Sequence, residues 1–122
     1  MNVRLVKELR FEAAHRLPKV PPGHKCQRLH GHSFKIEIAV SGAVNEETGW
    51  FIDYEVVDAA WRPLYELLDH NYLNEVPGLE NPTSEHLARF IWEQLVDRIP
   101  AGRLVCVRPW ETPRNYVEYR GG

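Results

Sequence analysis

The sequence predicts one α+β domain in which a four-stranded antiparallel sheet carries two helices on one face. Two long segments with a period of two residues are followed by two segments with helical spacing. Two shorter strand-like segments complete the chain, so the elements are expected in the order ββααββ. The 122 residues suit a single domain spanning 1–122 and leave little room for a second hydrophobic core.

The first two strands are predicted from alternating apolar side chains. Between Val3 and His15 most odd positions are apolar, whereas the even positions are mainly charged. The alternation returns after a turn-rich segment, and it places on one face His30, His32, Phe34, Ile36, Ile38 and Val40. The two segments are therefore expected to form a long antiparallel pair.

The two helices are predicted in the middle of the chain. Apolar residues recur at helical spacing from Tyr54 to Leu68, and again within residues 81–99. Asn81 is expected to cap the second helix, because its side chain can accept from a free backbone N–H group. Pro82 suits the first helical turn, where no backbone hydrogen bond is lost.

Two short strands are predicted at the end of the chain. They cover residues 103–110 and 115–120 and are joined by the turn sequence ETPR. A sheet that is covered on one face leaves its edges and its second face exposed. A closed assembly with other copies of the chain would cover both, so we expect a homo-oligomer.

Charge and composition argue against two classes of partner. The formal net charge is -2, and the basic residues are scattered singly, which is not typical of nucleic-acid binding. No apolar run approaches the roughly 18 residues of a membrane span, and the N-terminal segment alternates where a signal peptide would be continuously apolar. We therefore expect a cytoplasmic protein in which Cys26 and Cys106 are free thiols.

Three histidines fall at positions that can share one face of the predicted hairpin. His30 and His32 project from the same face of the second strand, and His15 lies on the apolar-facing side of the first. The imidazoles could converge at one end of the hairpin with a fourth coordination position open, which is typical of a catalytic zinc site. Alternatively, they are core or surface histidines satisfied by local hydrogen bonds.

The two cysteines lead to different expectations. Cys26 lies in the loop before the second strand, four residues ahead of His30. It could be a fourth ligand in a closed Cys/His₃ site, or a thiol that acts as a base because a nearby metal or imidazolium lowers its pKa of about 8.5. The spacing does not choose between them. Cys106 is flanked by apolar residues within a strand and is expected to behave as a small buried side chain.

Two carboxylate positions indicate possible catalytic chemistry. Asp69 and His70 are adjacent at the end of the first predicted helix, where a carboxylate could orient the imidazole and raise its basicity. The helix dipole alone would also favour a histidine there. Glu111 ends an apolar strand and could accept two hydrogen bonds from the amidine-like edge of a guanine or pterin ring. A solvated turn residue is the other interpretation of Glu111.

Six ordered motifs resemble the 6-pyruvoyl-tetrahydropterin synthase family, most closely its bacterial members of the queuosine pathway. The motifs span the chain and are FEAAHRLP, GHKCQRLHGHSF, TGWFIDY, LLDHNYLN, GLENPTSE and a final ET before a short strand. The resemblance implies a tunnelling fold (T-fold), usually assembled as a hexamer of two stacked trimers with sites between subunits. It also implies zinc as the cofactor.

The same resemblance implies a role for each candidate residue. The residues that match the zinc ligands are His15, His30 and His32. The residues that match the catalytic and substrate-binding positions are Cys26 as base, Asp69 and His70 as acid/base relay, Glu111 as pterin anchor, and Thr83, Ser84 and Glu85 near the ring. The basic residues that could reach a triphosphate are Lys25, Arg28 and Arg114.

The implied reaction starts from 7,8-dihydroneopterin triphosphate. It releases triphosphate and acetaldehyde and leaves 6-carboxytetrahydropterin. One alternative is formation of 6-pyruvoyl-tetrahydropterin from the same substrate by the same residues, without cleavage of the side chain. An alternative of a different class is a non-catalytic, zinc-stabilised assembly module in which Cys26 is the fourth ligand.

Overall fold

A computed structural model describes residues 1–100 and 103–122, in which two α-helices pack against one five-stranded sheet. In chain order the elements are β1 (Asn2–His15), β2 (His30–Ala43), α1 (Tyr54–Leu68), β3 (Asn71–Tyr72), α2 (Ser84–Leu95), β4 (Leu104–Thr112) and β5 (Asn115–Tyr116). The strands lie in the order β3-β1-β2-β4-β5. None of the helices in these ranges is long and apolar enough to cross a membrane.

The predicted α+β class is confirmed, but the predicted sheet is wrong in two respects. A short additional strand, β3, lies between α1 and α2, so the order is not ββααββ. This strand pairs with β1 in parallel, which makes the sheet mixed rather than antiparallel. The chain returns to β1 because the backbone N–H of His70 donates to the carbonyl of Glu12 at 2.5 Å. Two residues are too few to produce a recognisable alternation in the sequence.

Strands β1 and β2 form an unbroken antiparallel pair. Their register runs from Asn2 opposite Ala43 to His15 opposite His30 without a shift. As predicted, alternate residues of both strands are buried beneath the helices, among them Phe11, Ile36 and Ile38. The opposite face of the sheet is charged, and ion pairs across neighbouring strands neutralise its side chains, as between Lys35 and Glu8 at 3.3 Å.

Helix α1 begins where the sequence predicts it. The side chain of Asp53 accepts from the backbone N–H of Glu55 at 2.9 Å and caps the helix. One side of the helix packs into the core through Val57, Ala60, Trp61, Leu64 and Leu68. The apolar side of α2 packs into the same core through Leu87, Ala88, Phe90, Ile91 and Leu95. Both helices therefore cover one face of the sheet.

The predicted cap of α2 is wrong by two residues. Thr83, not Asn81, is the N-cap, because its hydroxyl oxygen accepts from the backbone N–H of His86 at 3.1 Å. Asn81 instead accepts through its backbone carbonyl from the N–H of Thr83 at 2.9 Å. Pro82 therefore precedes the helix. The segment NPTS offers three residues capable of capping, and tertiary contacts select among them.

The last two strands also differ in length from the prediction. Strand β4 extends to Thr112, so Glu111 lies within it. Strand β5 is shorter than the predicted 115–120, and Tyr119 joins the sheet only through an isolated bridge to Val107. These limits place Glu111 near the end of the sheet that carries the three histidines.

Candidate active site

The end of the β1–β2 pair brings the three histidines together. His15 lies directly opposite His30, and His32 lies two residues further along β2 on the same face. The ring centroid of His15 is 4.6 Å from that of His30 and 5.1 Å from that of His32. One nitrogen from each ring lies within 4.8 Å of the others. The predicted convergence is thus present in the structure.

Backbone carbonyl groups determine which ring nitrogen faces inward. In each histidine, Nδ1 lies within hydrogen-bonding distance of a carbonyl oxygen, so Nδ1 carries the proton and Nε2 keeps its lone pair. The three pairs are His15 with Pro82 at 3.2 Å, His30 with Arg28 at 2.7 Å, and His32 with Ser33 at 2.8 Å. With Nδ1 directed at a carbonyl in each ring, all three rings can offer Nε2 to a cation.

The spacing of these nitrogens fits a zinc ion. The Nε2 atoms of His15 and His32 are 3.2 Å apart. Tetrahedral zinc with Zn–N bonds of about 2.0–2.1 Å requires ligand nitrogens roughly 3.3 Å apart. Burial lowers the pKa of His15, which keeps this ring neutral and able to bind a metal. Three imidazole ligands could thus hold Zn²⁺ with one position open.

A cleft of about 290 Å³ opens beside the histidines. Its lining includes two of the histidines and the predicted ring-contacting residues, namely His15, His32, Thr83, Ser84, Glu85 and Glu111. The hydroxyl of Ser84 donates to the carboxylate of Glu111, which links the N-terminus of α2 to strand β4. Apolar side chains such as Phe34 and Leu87 form other parts of the wall. The cleft is thus part apolar and part acidic, which suits a flat heterocycle with N–H groups on one edge.

Asp69 and His70 form the predicted pair. Nδ1 of His70 donates to the Asp69 carboxylate at 2.7 Å, and the backbone N–H of Glu12 donates to the same carboxylate at 2.9 Å. The bond from Glu12 is the main cause of the lowered pKa of Asp69, with a further contribution from His70. The hydrogen bond to Asp69 raises the pKa of His70. Asp69 therefore orients the ring of His70 and favours its protonated form near neutral pH.

The backbone of His70 is in the left-handed region, with φ at 56°. This conformation is uncommon for a residue with a side chain, although histidine tolerates it better than most. It turns the chain from the end of α1 into β3. The imidazole is largely exposed and lines a second, shallower pocket together with Glu12, His32 and Tyr72.

Cys26 lies outside both pockets. It is half-buried in a single 3₁₀ turn, Lys25–Gln27, and its carbonyl accepts from the N–H of Leu17 at 2.7 Å. It does not belong to the cluster of potential metal ligands formed by the histidines. Cys106 is fully buried, as expected, and burial raises the pKa of its thiol.

The structure of one chain therefore brings only part of the predicted site together. His15, His32, Glu111 and the start of α2 line one cleft, whereas His70, held by Asp69, lines another. His32 lies on both and forms the boundary between them. The predicted triphosphate ligands are exposed and do not line the Glu111 cleft; they are Lys25, Arg28 and Arg114.

Some contributors to the site were not predicted from the sequence. The carbonyl of Pro82 accepts a hydrogen bond from His15. Every residue has such a backbone group, so the residue type at this position does not predict the contact. Tyr65, whose pKa is raised by the neighbouring Asp69 carboxylate, lies four residues before it on α1. The proximity of Tyr65 and Asp69 could have been predicted from this spacing, because residues four positions apart are neighbours on a helix surface.

Comparison with known proteins assigns the chain to a family. It belongs to the 6-pyruvoyl tetrahydropterin synthase family, whose model matches residues 4–122. A 6-carboxy-5,6,7,8-tetrahydropterin synthase from Synechocystis sp. is 45% identical over 94% of this chain and 91% of its own length. A 6-pyruvoyl tetrahydrobiopterin synthase from Dictyostelium discoideum is 38% identical over 80% of this chain and 74% of its own length.

A solved structure confirms the predicted T-fold. The 6-pyruvoyl tetrahydropterin synthase of Caenorhabditis elegans matches with a TM-score of 0.89 at 26% identity. The match covers 100% of this chain and 97% of that one. The predicted family and its enzymatic character are therefore confirmed, and the chain is similar over nearly its whole length to tetrahydropterin synthases.

Replacement of His32 by alanine is expected to abolish stable zinc binding. The wild-type protein should hold about one zinc per chain, and two remaining imidazoles are too few for a tetrahedral protein site. Metal content after gel filtration, measured by mass spectrometry, tests this. His24→Ala is the matched control, because His24 lies outside the cluster. Equal zinc content in the His32→Ala and wild-type proteins would contradict the assignment.

Replacement of Asp69 by asparagine is expected to lower the pKa of His70. The wild-type pKa lies above the ordinary value because Asp69 stabilises the protonated ring, and the neutral amide removes that charge. At pH 6.5 the fraction of protonated His70 should therefore fall. Proton NMR titration of the ring measures it, with Glu66→Gln on the same helix as control. An unchanged His70 titration in the Asp69→Asn protein would show that the pair is not coupled.

Proposed function

We propose that this chain is a zinc-dependent lyase of the 6-carboxy-5,6,7,8-tetrahydropterin synthase type, in the cytoplasmic route to queuosine. It converts 7,8-dihydroneopterin triphosphate to 6-carboxytetrahydropterin and releases acetaldehyde and triphosphate. The observation that carries this proposal is the cluster of His15, His30 and His32, two of which line the cleft that contains Glu111. The 45% identity to the Synechocystis enzyme supports the carboxy product.

The cleft residues would bind and orient the pterin ring. Glu111 can accept two N–H groups from the amidine-like edge of the ring, and the hydroxyl of Ser84 steadies its carboxylate. Thr83 and Glu85 lie beside the same position at the start of α2. A ring fixed in this way keeps the substrate side chain in one orientation, and orientation of reacting groups accelerates the reaction.

The histidines place the reactive part of the substrate. His15, His30 and His32 would hold zinc, which would supply a Lewis acid for the substrate hydroxyls and for negative charge that develops on them. The Nδ1 hydrogen bonds to carbonyls keep the rings in the ligating tautomer and restrict their rotation. The cleft and the metal position are adjacent, because His15 and His32 line the cleft.

Cys26 and the Asp69–His70 pair would move the protons. The thiolate of Cys26 removes a proton from the substrate side chain, and His70, oriented by Asp69, donates or accepts one elsewhere. The raised pKa of His70 suits a general acid near neutral pH. These groups do not line the Glu111 cleft of their own chain. We therefore propose that a second copy completes each site within a closed homo-oligomer, a hexamer of two trimers.

A second activity is supported by two of the similar proteins, those from Dictyostelium discoideum and Caenorhabditis elegans. The Dictyostelium relative is a 6-pyruvoyl tetrahydrobiopterin synthase, and such an enzyme would use the same kinds of residue. The two activities differ in whether the substrate side chain is cleaved. The non-catalytic zinc module is less well supported, because Cys26 is not part of the cluster of potential metal ligands and the Asp69–His70 pair would have no role.

Product analysis tests the proposed reaction. Supplied with 7,8-dihydroneopterin triphosphate, the zinc-loaded protein should release acetaldehyde and triphosphate in equal amounts, with acetaldehyde measured through alcohol dehydrogenase and NADH. Glu111→Gln should raise KM by about 10- to 100-fold, since one hydrogen bond to a charged acceptor is lost. Glu47→Gln, in the turn after β2, is the control. Turnover without acetaldehyde would refute the carboxy assignment and favour the pyruvoyl one.

Alkylation of Cys26 separates the enzyme from the zinc module. Iodoacetamide should label Cys26, abolish turnover and leave zinc bound, because the proposed metal site does not use the thiol. Cys106 serves as an internal control, since it is fully buried and should remain unlabelled in the native protein. Protection of Cys26 by zinc, together with metal loss on labelling, would instead identify it as a ligand.

A further inference from the structure

One short segment contacts both His15, at the metal-binding end of the cleft, and Glu111, at the proposed pterin-binding end. We call Asn81–Ser84 the strap; it lies immediately before and at the start of α2. The carbonyl of Pro82 in the strap accepts from Nδ1 of His15 at 3.2 Å, and the hydroxyl of Ser84 donates to Glu111. Four consecutive residues therefore hold both a metal-binding histidine and the proposed pterin anchor. Any shift of the strap moves both together.

The strap is held in place by His86. The Nδ1–H group of His86 donates to the backbone carbonyl of Asn81 at 2.8 Å, and its backbone N–H donates to the hydroxyl oxygen of Thr83 at 3.1 Å. The side-chain oxygen of Asn81 is buried and has no hydrogen-bond partner within the described residues. The imidazole of His86 thus ties the first residue of the strap to the helix.

The remaining bonds of the strap do not replace this contact. Thr83 caps α2 from within the strap, and its own N–H donates to the carbonyl of Asn81 at 2.9 Å. The cap bond from the N–H of His86, and the bond from the N–H of Leu87 to the carbonyl of Thr83 at 2.8 Å, tie Thr83 to α2, but neither reaches Asn81. Pro82 lacks an N–H group and so adds no donor. The side-chain bond from His86 is different because it ties Asn81 itself to the body of α2.

We propose that His86 is a positioning residue of this site. Its bond to Asn81 keeps the Pro82 carbonyl where it fixes the Nε2 direction of His15, and keeps Ser84 where it steadies Glu111. His86 acts through the strap and touches neither metal nor substrate. The part that concerns Glu111 rests on the proposed function, whereas the part that concerns His15 requires only that the histidine cluster binds zinc.

Two substitutions of His86 separate this bond from general packing. His86→Ala removes the donor, whereas His86→Asn retains an N–H donor at nearly the same distance from the backbone as Nδ1. The Thr83 cap uses the backbone of residue 86 and remains in both variants. Arg89→Ala, an exposed position one turn further along α2, is the control.

The main measurement is zinc release to a chromophoric chelator in the absence of substrate. His86→Ala should release zinc about tenfold faster, at the low end of the 10- to 100-fold range seen when partners of metal-binding histidines are removed. His86→Asn and Arg89→Ala should release it at close to the wild-type rate. Circular dichroism establishes that each variant is folded; should His86→Ala not fold, zinc release from His86→Asn well above the wild-type rate overturns the proposal.

A second measurement addresses the pterin half of the cleft. In His86→Ala, KM for 7,8-dihydroneopterin triphosphate should rise, and His86→Asn should restore it. Zinc release from His86→Ala at the wild-type rate, or equally fast release from His86→Asn, would overturn the proposal. Because zinc release is measured without substrate, failure of the wild-type protein to produce acetaldehyde would refute the proposed function alone.

Discussion

The register of the β1–β2 pair is the constraint on which the rest of the structure depends. His15 lies opposite His30 only because the two strands pair without a shift from end to end. A slip of one residue would turn His30 and His32 to the charged face and expose the apolar residues of β2. The core and the candidate metal site therefore require the same register. Burial of residues such as Phe11, Ile36 and Ile38 stabilises the arrangement that also aligns the histidines.

Backbone groups contribute as much to this site as side chains. The carbonyls that fix the histidine tautomers come from the loop before β2, from β2 itself and from the strap. Another backbone group, the N–H of Glu12, holds Asp69. Backbone positions are set by the whole fold, and the orientation of the rings is therefore a property of the sheet and of α2 rather than of the motif HGH alone.

The sequence predicted those parts of the protein that depend on local periodicity. Alternation over fourteen residues identifies a strand and the face of each side chain. The convergence of His15, His30 and His32 was therefore predicted from their places in the alternating pattern. The first helix began at Tyr54, as its spacing predicted. The cap of α2 and the strand β3 were not predicted correctly, because competing capping residues and very short pairings are decided by tertiary contacts. The location of Cys26 relative to the histidines could not be predicted either, since loop residues have no periodicity.

The contacts made by His15 differ in how far apart the two partners lie in the sequence. The contact between His15 and His32 spans 17 positions, whereas that between His15 and Pro82 spans 67. Contacts between distant residues cost more chain entropy to form, and they generally appear later in folding. The hairpin can therefore present its imidazoles while α2 and β4 are still undocked. A metal ion captured at that stage would stabilise a partly folded hairpin, and its supply during synthesis could influence the yield of folded chain.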